Sequence, residues 1–328
     1  MTNTDPVVTL EPTLPTARGG FFRDLDWRRY VIYIGFVVVF ALFAILLGGD
    51  GFLSPNNLLN ILSQTATIAV IAVGMTFVIS AAEIDLSVGS VAGLSSVAAA
   101  MTISTFGLIP GIVAGLLVGV IVGTINGALV SMLGIPSFLV TLGMLGVAEG
   151  TAQYITDSAP EPILNDAFNN IFGSGSIGPI PVLVIWAVVA VVIGAIVLGR
   201  TRYGRRVLAT GGNRNAAEYT GIRTRRIKFT VLLVSAVIAS IAGMLYAGRL
   251  QSGRFQWGEG DELSAIAAVI LGGTSLFGGA GTVVGTAFGA LLIGLINNGL
   301  VLAGLESSQQ QIIRGAIIIL AVALARKK

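Results

Sequence analysis

Glu83 and Asp85 interrupt an otherwise apolar stretch, within AAEIDLSVGS at 81–90. A charge in hydrocarbon costs on the order of a few kcal/mol, so both acids must face a cavity, a helix end or a partner group. Three chemistries fit. Asp85, with Ser87 and Ser90, can cap a helix beginning near Val88 by accepting from its free amides. The same groups can line a polar path for a solute. An ion-coupled carrier would instead use Glu83 or Asp85 as a proton or cation site. Catalysis has little to work with, and no catalytic residue is expected. The chain contains no His and no Cys, and no Lys falls within its apolar runs. Without those residues the usual proton shuttle, the thiolate nucleophile and the commonest metal ligands are missing, so no metal site is expected either. No GxxxxGK[ST] phosphate loop occurs, so the chain is expected to bind no nucleotide itself.

A second interruption, GGTSLFGGAGT at 272–282, carries Thr274 and Ser275 among glycines too dense for continuous helix. Its freed backbone groups must be satisfied by protein or water. Paired breaks of this kind point to a transport pathway, and a tight cytoplasmic turn between two spans gives the same pattern. Asn126, Thr141, Glu149, Asn297 and Asn298 are further polar residues in apolar runs. An amide there either joins two helices or offers a ligand group, and Glu149 is expected near the outer interface.

The basic interval carries a separate, electrostatic chemistry. Between residues 200 and 228 nine basic side chains stand against one acid, Glu218. Loops this rich in Arg and Lys between membrane spans are retained in the cytoplasm. Inside it, GGNRNAAEYTGI reads as a short helix. Asn213 or Asn215 can cap its start, Ala216, Ala217 and Glu218 favour helix, and Gly221 suits a left-handed C-terminal position. Such a helix can receive force from a partner, or can simply lie on the phospholipid surface.

The elements that position these groups are membrane spans. Hydrophobic residues make up 54% of the chain and charged ones 11%, with a mean hydropathy of +0.90, far from the roughly 25% charged content of soluble domains. The expectation is an all-α polytopic membrane protein with about ten transmembrane helices, some of them broken or re-entrant. The spans fall at 31–47, 58–80, 88–104, 108–132, 136–155, 180–198, 229–247, 263–277, 283–303 and 312–324. GIVAGLLVGVIVGTINGALV, in the fourth, repeats small residues every four positions and predicts tight helix contact. Residues 1–29 read as a cytoplasmic tail rather than a cleaved signal peptide, ending with Trp27 and Tyr30 at the headgroup level. Residues 30–328 read as one membrane domain. Ten spans put both termini on the side of the basic loop, where sixteen of the nineteen Lys and Arg then lie. Asp50, Asp157, Glu161, Asp166, Glu259, Asp261, Glu262 and Glu306 fall on the opposite side. The net charge of +3 bears on membrane orientation and gives no reason to expect nucleic acid.

GMTFVISAAEIDLSVGSV, IPSFLVTLG, GGNRNAAEYTGI, ELSAIAAVILGGTSLFGGAGTVVGT and NNGL followed by QQIIRGAIIILAV, in this order, resemble the permease subunit of ribose-type ATP-binding cassette (ABC) sugar importers. The resemblance covers nearly the whole chain from about residue 30. It implies a permease homodimer in the lipid of the bacterial cytoplasmic (inner) membrane, carrying a monosaccharide or related polyol. A cytoplasmic ABC ATPase, often two fused cassettes, would hold the ATP and Mg, and an extracytoplasmic sugar-binding protein would deliver the solute. GGNRNAAEYTGI would be the coupling helix that docks into the ATPase, through Asn213, Asn215, Ala216, Ala217, Glu218 and Gly221. Glu83, Asp85, Ser87, Asn126, Thr141, Thr274, Ser275, Asn297 and Asn298 are the candidates for the translocation pathway. The chain departs from the family pattern at Ala82 and Glu83, where glycines are common, and at Glu149 and Ala280, where arginines are common. Branched-chain amino-acid permeases are the related substrate class.

Overall fold

The structure is a computed structural model that describes residues 31–324. The tail at 1–29, Tyr30, and the basic residues Arg326, Lys327 and Lys328 lie outside the described residues. In chain order the elements are α1 (Val31–Leu46), α2 (Pro55–Ser80), α3 (Val88–Phe106), α4 (Leu108–Ser131), α5 (Ser137–Thr156), β1 (Glu161–Pro162), α6 (Asp166–Phe172), β2 (Ser176–Ile177), β3 (Ile180–Pro181), α7 (Val182–Arg200), α8 (Arg202–Gly212), α9 (Arg214–Tyr219), α10 (Thr224–Leu250), β4 (Ser252–Gly253), α11 (Asp261–Leu271), α12 (Val283–Leu302) and α13 (Ser307–Leu324). Among the described residues seven helices, α2, α3, α4, α5, α7, α10 and α12, are long and apolar enough to cross a membrane. The protein is a multi-pass, all-α membrane protein.

Burial sorts those helices into a centre and a rim. The apolar window of α2 is 83% buried and that of α7 only 17%, so α2 lies inside the bundle and α7 offers Val188, Val192 and Ile196 to lipid. Inside, small residues let backbones approach. Gly119 and Gly123 of α4 face α10, where an added Cβ would come within 2.6 Å of the Ala236 carbonyl oxygen and 2.8 Å of the Leu233 Cα. The four-residue repeat of small side chains is therefore a seam against α10, worth its space because tight van der Waals contact drives helix association in lipid. α2 and α12 run antiparallel. Asn57 and Asn298 exchange amide hydrogen bonds of 3.1 and 2.9 Å near one end, and the Thr76 and Thr286 hydroxyls meet at 2.9 Å near the other.

One expected span is placed differently, and one open alternative is decided. The span at 263–277 does not exist as a crossing helix. α11 has 11 residues, about 16 Å of helix against roughly 30 Å of hydrocarbon. The chain covers the remaining depth without helix: after β4 pairs with β1, residues 254–260 descend beside α3. The Arg254 amide donates to Ser96 Oγ at 3.1 Å, and Gly93 and Gly89 leave room for the carbonyls of Phe255 and Gly258. Segment 272–282, in contrast, is a turn at a helix end. The Gly279 amide donates to the Ser80 carbonyl at 3.1 Å, and an added Cβ on Gly211 of α8 would strike that same carbonyl. The turn thus lies where α2 ends against the basic loop.

Candidate functional site

α2 ends in a turn at Ala81 and Ala82, and Ala82 takes a left-handed φ of 60°. Residues 83–87 then belong to neither helix nor strand. They have no strand partner, so hydroxyls of α5 take their amides: Ile84 donates to Ser137 Oγ at 3.0 Å and Leu86 to Thr141 Oγ1 at 3.0 Å. Asp85 is fully buried and accepts from the Ser87 amide at 3.0 Å and the Ser87 hydroxyl at 2.6 Å. Asn126 of α4 donates to the same hydroxyl at 3.1 Å, while its Oδ1 is buried without a hydrogen-bond partner among the described residues. Glu83, also buried, forms an ion pair with Lys228 in the second turn of α10. Glu83, Asp85, Ser87, Asn126 and Thr141 are thereby gathered around the break between α2 and α3, with Asn126 supplied by α4 and Thr141 by α5.

The capping expectation for α3 is corrected. Ser87 stands at the N-cap with φ −85° and ψ −7° and makes no side-chain bond to the first turn, because a cap of that type needs extended backbone at its own position. Its hydroxyl is engaged by Asp85 and Asn126 instead, and Ser90 donates to the Ser87 carbonyl at 3.0 Å.

The remaining pathway candidates lie elsewhere. Thr274 Oγ1 accepts from the Thr282 amide at 3.3 Å, inside the 272–282 turn. The Ser275 amide donates to the Ala280 carbonyl at 3.0 Å in the same turn. Asn298 is spent on Asn57, so it joins α2 to α12, and Asn297 is half-buried one position before it. Glu149 accepts from Gln153 at 3.0 Å one turn along α5.

Asp261 and Glu262, read from the sequence as outer-side acids, pack against α10 and α3, Asp261 buried and Glu262 half-buried. The Tyr246 hydroxyl donates to Asp261 Oδ2 at 2.6 Å, and Glu262 Oε2 lies 2.5 Å from where a Gly89 Cβ would stand. The reason is the non-helical descent of 254–260, which starts α11 beside the start of α3. A local signal exists in GEGDE at 258–262, since Gly258 and Gly260 both take left-handed φ, 93° and 78°, just before two acids in a helix's first turn. Lys228 carries no such signal: only the tertiary structure brings it to Glu83.

The basic interval holds two helices rather than one. Thr201 caps α8 by accepting from the Gly204 amide at 3.1 Å. α8 buries Gly204, Val207 and Thr210 on one face and exposes Arg202, Arg205 and Arg206. Asn213 then caps α9, accepting from the Ala216 amide at 3.0 Å, while Asn215 is exposed. Glu218 Oε1 accepts from Arg214 Nε at 3.0 Å and from the Thr224 hydroxyl. Those two bonds, Thr224's first and Arg214's after it, hold the Glu218 carboxyl below its ordinary pKa. Gly221 closes the helix with φ 82°, as expected. Ala217 points inward at 4% exposure and Tyr219 outward at 92%. Behind the helix a concavity of about 420 Å³ is lined by Arg214, Glu218, Ile222 and residues 223–226.

Residues 57–322 match the family described as the branched-chain amino acid transport system, permease component. The chain belongs to this family. Among its relatives, the ribose import permease protein of Bacillus subtilis (strain 168) is 41% identical over 90% of this chain and 92% of its own length. The D-allose transport system permease of Escherichia coli (strain K12) is 36% identical over 92% and 93%. The L-arabinose ABC transporter permease of Azospirillum brasilense is 34% identical over 98% and 93%. No solved structure matches the chain. The permease is a transport subunit and not an enzyme.

Proposed function

We propose that the permease is the membrane subunit of an ABC importer that carries a monosaccharide into a bacterial cell across its cytoplasmic membrane. Two permease copies would enclose the path, a separate cytoplasmic ATPase would hydrolyse ATP with its own Mg, and an extracytoplasmic sugar-binding protein would deliver the solute. The observation that carries this reading is the near-complete alignment, at 34–41% identity, with permeases named for ribose, allose and arabinose. Those relatives favour an uncharged sugar over the amino acid in the family's description. The site chemistry agrees. The break is lined by uncharged amide and hydroxyl groups at Asn126, Ser87 and Thr141, and Asn126 Oδ1, without a partner among the described residues, is an acceptor that suits a polyol hydroxyl. Glu83 is already neutralised by Lys228, which leaves it poorly suited to be the cation site of an ion-coupled carrier.

Orientation follows the positive-inside rule. Counting residues 251–282 as one crossing, with α11 as its helical half, gives ten crossings, and places both termini and the α8–α9 knob in the cytoplasm. α9 would be the coupling helix, docking through Ala216, Tyr219 and the exposed face around Asn215, with Asn213, Glu218 and Gly221 holding its shape. On ATP binding the two copies of α9 would approach each other and turn the path from one face to the other.

The test is reconstitution of the permease with its ATPase and receptor, followed by ATP hydrolysis and uptake with ribose, allose and arabinose. Receptor-dependent hydrolysis stimulated by at least one of these is expected. Glu218→Arg and Gly221→Pro should leave a folded permease in the membrane yet abolish uptake; normal uptake in both variants would refute the coupling role.

A further inference from the structure

We propose that Glu83 and Lys228 form a rigid tie that carries the movement of α9 into the broken segment at 81–87, which makes both positioning residues for transport. The proposal rests on the coupling role assigned to α9. Its basis is a line that joins the two polar regions through two side-chain contacts, one turn of α10 and the backbone after α2. Glu218 on α9 accepts from Thr224 at the start of α10. Thr224 and Lys228 are four residues apart and so share one face of α10. Lys228 pairs with Glu83, and the Glu83 amide donates to the Val78 carbonyl of α2 at 3.1 Å. From there the chain reaches Asp85, Ser87 and Asn126.

The burial of the pair is what makes it stiff. The Glu83 side chain is 6% exposed and that of Lys228 19%, so parting them would strand a charge away from water. The rest of the segment is compliant. Its amides at Ile84 and Leu86 rest on hydroxyls of α5 rather than on a backbone ladder, and it starts from a left-handed Ala82. When the start of α10 shifts with α9, the charged bond therefore holds and the hydroxyl bonds give. The segment follows α10, and the polar cluster around Asp85 is rearranged from the cytoplasmic side.

The experiment uses the reconstituted complex of permease, ATPase and receptor with ribose as the probe sugar, and reads uptake and ATP hydrolysis together. E83Q, K228M and the double variant E83Q/K228M leave the α9 surface intact. All three are expected to assemble and hydrolyse ATP, with sugar carried per ATP falling about tenfold, the order of one lost coupling contact. The double variant is decisive for role, because a neutral pair removes the stranded charge. If it restored the uptake ratio, the pair would be merely structural and the tie refuted. Loss of ATP stimulation in the wild-type complex is a different result, and would overturn the coupling role and the tie together. A second measurement needs no variant. The chain has three lysines, Lys228, Lys327 and Lys328, so amine-reactive labelling of Lys228 can be read by mass spectrometry with and without trapped nucleotide. Equal protection in both states is expected. A several-fold rise on trapping would show that the pair parts, and would overturn the tie even if the variants failed to assemble.

Discussion

The α8–α9 knob and the break at 81–87 are both short polar interruptions, yet they are held from opposite distances along the chain. In the knob, Thr201 bonds Gly204, Asn213 bonds Ala216, and Glu218 bonds Arg214 and Thr224, all within six residues. In the break, Ile84 and Leu86 are held by residues 53 and 55 positions away, and Glu83 by Lys228. Its companion, the descent at 254–260, leans on Ser96 at a separation of 158. Local bonds make a module that can move as one body, as the proposed coupling role of α9 requires. Long-range bonds make a site whose shape depends on how several helices sit together, so a shift of any one of them alters it.

That difference sets an order of expected effects. The largest belongs to the close approach of the 254–260 descent to α3: Gly93→Leu would drive a side chain into the Phe255 backbone. It should cost about 3 kcal/mol, measured as a fall in thermal unfolding temperature of the purified permease in detergent. Asp85→Ala removes the acceptor for both Ser87 groups and should cost about 2 kcal/mol in the same measurement. Asn213→Ala strips the cap of α9 and should cost about 1 kcal/mol, but of local helix only. The unfolding temperature should stay put while ATPase binding weakens, and a global loss of stability would blur the distinction between the two regions. The smallest effect concerns pH. Glu218 is held below its ordinary pKa, so its contribution is complete above that ordinary value and fades only as pH falls through the lowered one. ATPase binding should therefore show no Glu218-dependent change between about pH 5 and about pH 8, and a wild-type pH dependence removed by Glu218→Gln would contradict this.

The same contrast governs what could be read in advance. An asparagine cap at 213 or 215, Gly221 as the left-handed stop and the short helix between them were legible, because each acts on neighbours within a turn; the structure chose Asn213. α8 was missed although it abuts them: its buried Gly204, Val207 and Thr210 make a narrow apolar face easily lost among arginines. The seam of glycines along α4 was visible as spacing, but not its partner α10. Glu83, Asp85, Ser87, Asn126 and Thr141 were each recognisable as costly in an apolar setting. Their convergence was not. For 272–282 and for Asn298 the sequence offered the turn and the helix-joining amide among its alternatives, and lacked only their partners, Ser80 and Asn57.

By itself, the sequence determined that this chain is a helical membrane protein, which way a basic knob biases it, and which polar residues demand an explanation. Those properties follow from composition, charge and interactions within a turn of helix. The tertiary structure alone decided that α11 is half a span, that Asp261 meets Tyr246 and Glu262 meets α3, and that Lys228 answers Glu83. The physical reason is that a buried polar group must find a partner, and in a bundle of packed helices the partner within reach is set by how the helices cross.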